Sequence, residues 1–257
     1  MHAYGQFATV YDRLMEEMPY PDWIRFAGEA WSRLGEPKVV ADLGCGTGSI
    51  AIPLAQAGKQ VYAIDLAADM LTVGRAKWES LPERALPADA GSIQWLQQDM
   101  REWEVPEPVD AAISFCDCVN YLTEPEDVED AFRATWAALK PGGTFLFDAH
   151  APIQLARYAE EQPFTLDERD VAYIWTSDYD EDRMEIEHQL TIFARDGEAE
   201  DAKYVRIEET HVQRAYDRHW LQDALYAAGF SKVDCYADFA FEAPNPGSER
   251  LFFVCVK

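Results

Sequence analysis

Apolar residues change their spacing along this chain. Over residues 1–35 they fall at helical intervals, with Tyr4, Phe7 and Tyr11 first, then Trp23, Phe26 and Trp31 after Pro19-Tyr20-Pro21. Gly35 and Pro37 stop that run. From Val39 onward, short apolar runs alternate with amphipathic stretches. Runs 39–43, 60–64, 92–97, 110–115 and 144–148 predict strands. Segments 49–57 and 69–78, and a third through Phe132, Trp136 and Leu139, predict helices. Run 110–115 is unbroken, as expected of a strand covered on both faces. Thr123-Glu124-Pro125-Glu126 has capping-box spacing ahead of the third helix, and Pro141-Gly142-Gly143 ends it. Beyond His150 the period falls to two. Segments 171–179, 183–194 and 204–216 predict a three-stranded antiparallel insert, whose middle strand puts Met184, Ile186, His188, Leu190 and Ile192 on one face. A helix over 220–228, closed by Gly229, and strands over 233–240 and 251–256 complete the pattern. Strands alternating with helices predict an α/β fold with a doubly wound parallel sheet.

The chemistry concentrates at one strand end. Val39-Val40-Ala41-Asp42-Leu43-Gly44-Cys45-Gly46-Thr47-Gly48 is an apolar strand running into a glycine turn, and the next strand delivers Asp65. Glycines let backbone N–H groups approach a ligand closely, and the Asp65 carboxylate can accept from both hydroxyls of a ribose. A dinucleotide fingerprint requires G-x-G-x-x-G and a site hospitable to pyrophosphate. Here the spacing is G-x-G-x-G, and Asp42 would repel a pyrophosphate. The two features disfavour a nicotinamide enzyme. They suit a ligand with an amino group and positive charge, and S-adenosylmethionine carries both an α-ammonium and a sulfonium.

Length and charge narrow the partners. The 257 residues suffice for one α/β domain and a small subdomain, and 48% hydrophobic content supports a filled core. The net charge of −25, with no Lys/Arg cluster, argues against a nucleic-acid partner. Cys45, Cys116, Cys118, Cys235 and Cys255 sit in or beside apolar runs without C-x-x-C spacing, so no zinc site or disulfide is expected. No signal-like start or membrane-length apolar run occurs, and a cytoplasmic location is expected.

Asp42-Leu43-Gly44-Cys45-Gly46-Thr47-Gly48, Ala63-Ile64-Asp65, Gln98-Asp99-Met100 and Leu139-Lys140-Pro141-Gly142-Gly143 resemble the motifs of the class I S-adenosylmethionine-dependent methyltransferases. The resemblance covers about residues 36–149 and 217–257. It implies a Rossmann-like seven-stranded sheet with a terminal antiparallel hairpin, S-adenosylmethionine as cofactor, and Asp99 as the adenine-contacting acid. Phe7-Ala8, Tyr11-Asp12, Pro19-Tyr20, Trp23, Asp117, Asn120-Tyr121-Leu122, His211 and Gln213-Arg214 are similar to the YqeM-like bacterial group. That similarity implies a small-molecule acceptor, with Tyr11 near the methionine end of the cofactor.

The expected cofactor site comprises Tyr11, Asp42, Gly44, Cys45, Gly46, Asp65, Leu66, Met70, Asp99, Met100, Phe115 and Cys116. Three residues are candidates for catalysis. Asp117 orients the acceptor or the cofactor, or caps a turn; His150 reaches the acceptor or bonds backbone; His211 pairs with Glu209 as an acid–base relay or is a satisfied strand histidine. No spacing fits a metal site. The family's (D/N)-P-P-(Y/F) signature for base amines is absent at 116–121. The expected organisation is a helical lid over 1–35, a cofactor-binding core over 36–150 and 217–257, and an insert over 151–216 that covers the acceptor or joins a homodimer. Methyl transfer to nitrogen or oxygen of a small molecule is the expected function. An RNA or protein substrate, or a non-catalytic S-adenosylmethionine-binding dimerisation or regulatory protein, are the alternatives.

Overall fold

The computed structural model describes residues 3–82, 87–197 and 202–257; the Tyr4 side chain lies outside the described set. Two helices open the chain, α1 (Ala3–Leu14) and α2 (Tyr20–Leu34). Pro21 sits in the first turn of α2, where its missing N–H costs nothing, and Gly35 ends the helix at φ +129°. Then follow β1 (Val39–Leu43), α3 (Ala51–Gln56), β2 (Gln60–Asp65), α4 (Ala68–Ser80), β3 (Ser92–Gln97), β4 (Val109–Ser114) and a 3-10 turn (Cys118–Tyr121). Next come α5 (Pro125–Ala138), β5 (Leu139–His150), α6 (Pro152–Glu161), β6 (Phe164–Asp167), β7 (Val171–Asp180), β8 (Glu185–Asp196) and β9 (Lys203–Arg214). The chain closes with α7 (Arg218–Ala228), β10 (Lys232–Ala237) and β11 (Arg250–Val256). Asp217 caps α7 by accepting from the N–H groups of His219 and Trp220.

The seven-stranded sheet has the order β10-β11-β5-β4-β1-β2-β3, with β11 antiparallel between β5 and β10. Its other pairs are parallel. One face packs against α2 and α3 through Trp23, Phe26, Trp31 and Leu54, and the other against α5 and α7 through Phe132 and Leu225. This is the doubly wound arrangement that the alternation predicts. Strand order reverses between β1 and β4, which opens a crevice at the strand C-termini.

The antiparallel sheet runs β6-β7-β8-β9, four strands rather than three. The added strand is only four residues long, too short to show a period. The inner face of this sheet packs on α1 and α4 through Phe7, Met70, Val171, Ile192 and Ile207. Two further expectations change. Glu124, not Thr123, occupies the N-cap of α5 and makes no side-chain cap bond, so the capping box does not form and Pro125 starts the helix instead. Strand β10 stops at Ala237 because Asp238 and Phe239 turn to φ +51° and +61°. No helix of the described residues is long and apolar enough to cross a membrane.

Candidate active site

Strand β1 runs into the glycine loop, where Gly44, Gly46 and Gly48 all have positive φ. A Cβ on Gly44 would stand 2.5 Å from Cys118 Sγ, and one on Gly48 2.6 Å from the Trp95 ring. At Gly46 it would meet no atom within 4 Å, so this residue borders open space. The N–H groups of Gly44 and Cys45 donate to the Ile64 carbonyl at 2.8 and 3.0 Å, and that of Gly46 donates to Asp65 Oδ2 at 2.8 Å. These donors are satisfied within the protein, so the loop offers a ligand the bare Cα of Gly46 rather than the free N–H groups expected from the glycines. Ala67 N–H fixes Asp65 Oδ1 at 2.8 Å. The Asp65 carboxylate is thus oriented at the end of β2, with lone pairs left for further donors.

Asp42 is 2% exposed, and its Oδ2 has no hydrogen-bond partner. Burial, followed by the nearby Asp65 charge, pushes its pKa up to about 7. An unpaired buried carboxylate is costly, and a cationic group beside it would relieve that cost.

Helix α1 is fastened across this loop. Thr47 Oγ1 donates to Asp12 Oδ1, while Lys77 Nζ donates to Asp12 Oδ2 at 2.8 Å and to Thr47 Oγ1 at 3.1 Å. The adjacent Tyr11 is partly buried, and burial, then Tyr20, raises its phenol pKa. Met100 also reaches the loop, its Cε 3.6 Å from the Cβ position of Gly44. Met70, Phe115 and Cys45 are buried, and Leu66 is exposed. Asp99 is already occupied: Arg101 donates to its carboxylate from the backbone N–H at 2.9 Å, from Nε at 3.0 Å and from Nη2 at 2.6 Å.

A second cluster lies beyond β4. Cys116 and Asp117 are consecutive non-glycine residues at φ +61° and +53°, each a local strain on the order of 1–3 kcal/mol. Asp117 Oδ1 accepts from Arg250 Nη2 at 3.0 Å and lies 3.3 Å from His150 Nε2. Its Oδ2 accepts from Gln213 Nε2 at 2.7 Å. Arg250 Nη1 donates to Asp148 Oδ2, and Trp23 Nε1 donates to Asp148 Oδ1 at 3.0 Å. Burial opposes ionisation of Asp117, but His150 and Arg250 overcome it and hold its carboxyl well below the usual range. At Asp148 burial prevails over Arg250, and the pKa is raised. Asn120 fixes the strand end by accepting from His150 N–H at 2.9 Å and donating to the Arg214 carbonyl at 2.9 Å.

The third candidate stands apart. His211 Nδ1 lies 3.3 Å from Tyr121 Oη, and burial lowers its pKa. Glu209 keeps a buried Oε1 without a partner, and among the described residues no hydrogen bond joins it to His211. The expected acid–base relay is therefore not formed.

Residues 40–143 match the family described as a methyltransferase domain. YqeM of Bacillus subtilis (strain 168), provisionally named a methyltransferase, is 36% identical over 255 residues, spanning 99% of this chain and 97% of that protein. The chain belongs to the class I S-adenosylmethionine-dependent methyltransferases. A S-adenosylmethionine-dependent methyltransferase from Clostridium acetobutylicum ATCC 824 superposes with a TM-score of 0.84 at 25% identity, covering 99% of each chain. A sugar N-methyltransferase from Streptoalloteichus sp ATCC 53650 shares the fold, with a TM-score of 0.70 at 17% identity over 97% of this chain and 92% of that one.

S-adenosylmethionine is accordingly the cofactor of this methyltransferase, and the first cluster fits it. Asp42 has an unsatisfied oxygen for positive charge, Gly46 leaves room, and Asp65 holds a fixed carboxylate for hydroxyls. Several site groups escaped the sequence reading. Arg250 and Asp148 lie in ordinary-looking strands, and Asp12 and Lys77 on helix surfaces; only the fold brings them together. His188 proves to be a buried structural group. Its Nδ1 accepts from Trp175 Nε1 at 3.0 Å and lies 2.8 Å from Ser177 Oγ. An indole N–H only donates, so this nitrogen is unprotonated. Burial, then His211, lowers the His188 pKa to about 4.

Proposed function

We propose that the methyltransferase transfers a methyl group to nitrogen or oxygen of a small molecule held at the C-terminal end of β5, beside Asp117. The observation that carries this reading is the placement of Asp117. Its carboxylate is bonded to Arg250 and Gln213, while its neighbour Cys118 lies 3.5 Å from the Gly44 carbonyl. The residue thus connects the glycine loop to the buried polar cluster. When bound, S-adenosylmethionine supplies an electrophilic methyl group, whose bonding pair stays on sulfur as the acceptor's lone pair takes the carbon.

The chain's own task is then to orient, dry the site and move a proton. Asp117 and His150 supply a carboxylate–imidazole pair beside the strand ends, suited to taking a proton. Tyr11 and α1 exclude water above the loop. Nitrogen is the favoured nucleophile, since an amine needs only deprotonation before attack. The shared fold with a sugar N-methyltransferase supports that choice. The site residues and their roles, the insert as acceptor cover, and the absence of a nucleic-acid partner are parts of the same reading.

Incubation with methyl-labelled S-adenosylmethionine and separated cell fractions tests it. Label should enter metabolites small enough to pass a dialysis membrane. Label confined to RNA or protein would overturn the small-molecule reading.

A further inference from the structure

Beside the Asp117 cluster lies a recess of ≈ 360 Å³ that no step above uses. His150, Tyr158, Asp238, Phe239, Glu249 and Arg250 line it. It opens where β5 ends, between α6 and the turn that joins β10 to β11. Its volume is at the small end for ligand pockets and suits a compact molecule.

The walls combine aromatic rings with spoken-for cations. Tyr158 comes from α6, and Phe239 is held by an edge contact to Trp23 with centroids 4.8 Å apart. Arg250, the one guanidinium in the lining, already serves Asp117 and Asp148. Glu249 is paired with Arg157. Asp238 Oδ1 accepts the N–H groups of Glu249 and Arg250 at 3.2 and 3.1 Å. A phosphate or carboxylate entering here would find no unshared cation and would face Asp238 and Glu249, with Asp117 and Asp148 behind. An ammonium would meet the aromatic side chains of Tyr158 and Phe239 and the carboxylates of Asp238 and Glu249, the latter shared with Arg157; aromatic rings and acids together recognise organic cations. His150 is 5% exposed, and its Nδ1 has no protein partner.

We propose that this recess is the acceptor pocket, and that the acceptor is a compact amine, cationic in solution, bearing no phosphate or carboxylate. The proposal rests on the methyl-transfer reading and narrows it. The ammonium gives one proton to the neutral form of His150. The freed nitrogen pair then forms the new bond to the methyl carbon as the methyl–sulfur bond breaks, its electron pair remaining on sulfur. The product leaves as a methylated ammonium.

The test uses the full chain saturated with S-adenosylhomocysteine and titrated with three probes of one shape: cyclohexylamine, cyclohexanol and cyclohexanecarboxylate. The amine should bind at least about tenfold more tightly than either analogue. Glu249→Lys, a change at a half-exposed position, should weaken the amine at least about fivefold and leave S-adenosylhomocysteine affinity unchanged. A carboxylate that binds as well as the amine overturns the proposal. So does an amine that fails to bind at about 10 mM, or one that is indifferent to Glu249→Lys. Failure of S-adenosylhomocysteine itself to bind a folded chain would instead sink the methyl-transfer reading beneath it.

Discussion

Arg250 and Asp117 stand 133 positions apart in sequence, yet Nη2 of one donates to Oδ1 of the other at 3.0 Å in the interior. Each charge also has a second partner: Asp148 for the guanidinium, Gln213 for the carboxylate. Burying an ion pair is unfavourable unless such additional bonds complete it. The terminal hairpin is therefore part of the site, since it brings Arg250, which together with His150 keeps Asp117 ionised.

Removing that cation should be severe. Arg250→Met leaves Asp117 and Asp148 buried without their guanidinium, at a cost of about 3–5 kcal/mol by denaturant unfolding. Arg250→Lys keeps the charge but cannot fork between two acids, so an intermediate loss is expected. An unchanged midpoint for Arg250→Met would contradict the network described here.

Asp42 gives a signed pH dependence. Its folded pKa of about 7 lies above the unfolded carboxylate value of ~4. The folded state therefore holds the proton more tightly, and stability from this group is lost as pH rises between those two values. Asp42→Asn cannot ionise, so its melting temperature relative to wild type should climb from pH 4 to pH 8, roughly following that window. A flat difference would contradict the raised pKa. Cofactor binding at about pH 6 should also release protons in the wild type, read from the buffer dependence of the calorimetric heat, and release fewer in Asp42→Asn.

His188 slopes the other way. Its pKa is depressed to about 4, so the unfolded chain takes up a proton that the folded imidazole refuses. Stability from this group falls as pH drops from about 6.5 toward 4. His188→Gln should remove that slope, at the cost of altered bonds to Trp175 and Ser177. The informative quantity is the variant-minus-wild-type difference across pH, because Asp42 acts in the opposite sense.

Two neighbouring glycines should part company. Gly46→Ala creates no clash and costs about 1 kcal/mol for a left-handed alanine, so the protein folds. The added methyl nonetheless projects into the space assigned to the cofactor, and affinity should fall at least about tenfold. Gly44→Ala drives a methyl to 2.5 Å from Cys118 Sγ, so thermal stability should fall before binding is considered. Melting curves and calorimetric titrations of both variants separate the effects.

Much of this fold was legible because its signals are local. Strands 39–43 and 92–97 and the glycine loop announce themselves by apolar runs and by spacing. The same holds for Asp42 and Asp65, which flank that loop in sequence. The Asp117 cluster was only half legible. Asp117 follows β4 and His150 closes β5, but Arg250, Asp148 and Trp23 gain their roles through β11 pairing with β5 and α2 packing on the sheet. Strand β6 was missed because four residues carry no usable period. The Glu209–His211 relay misled because alternate residues on one strand share a face without touching, and His211 turns instead to Tyr121.

The most direct measurement is calorimetric titration of the purified chain with S-adenosylmethionine, wild type beside Asp65→Ala. Wild type should bind with micromolar affinity, about −8 kcal/mol, and the variant should not, while its melting curve still shows a folded protein. Equal binding by the two proteins would contradict the assignment of Asp65 to the cofactor. Failure of folded wild type to bind would contradict the whole site.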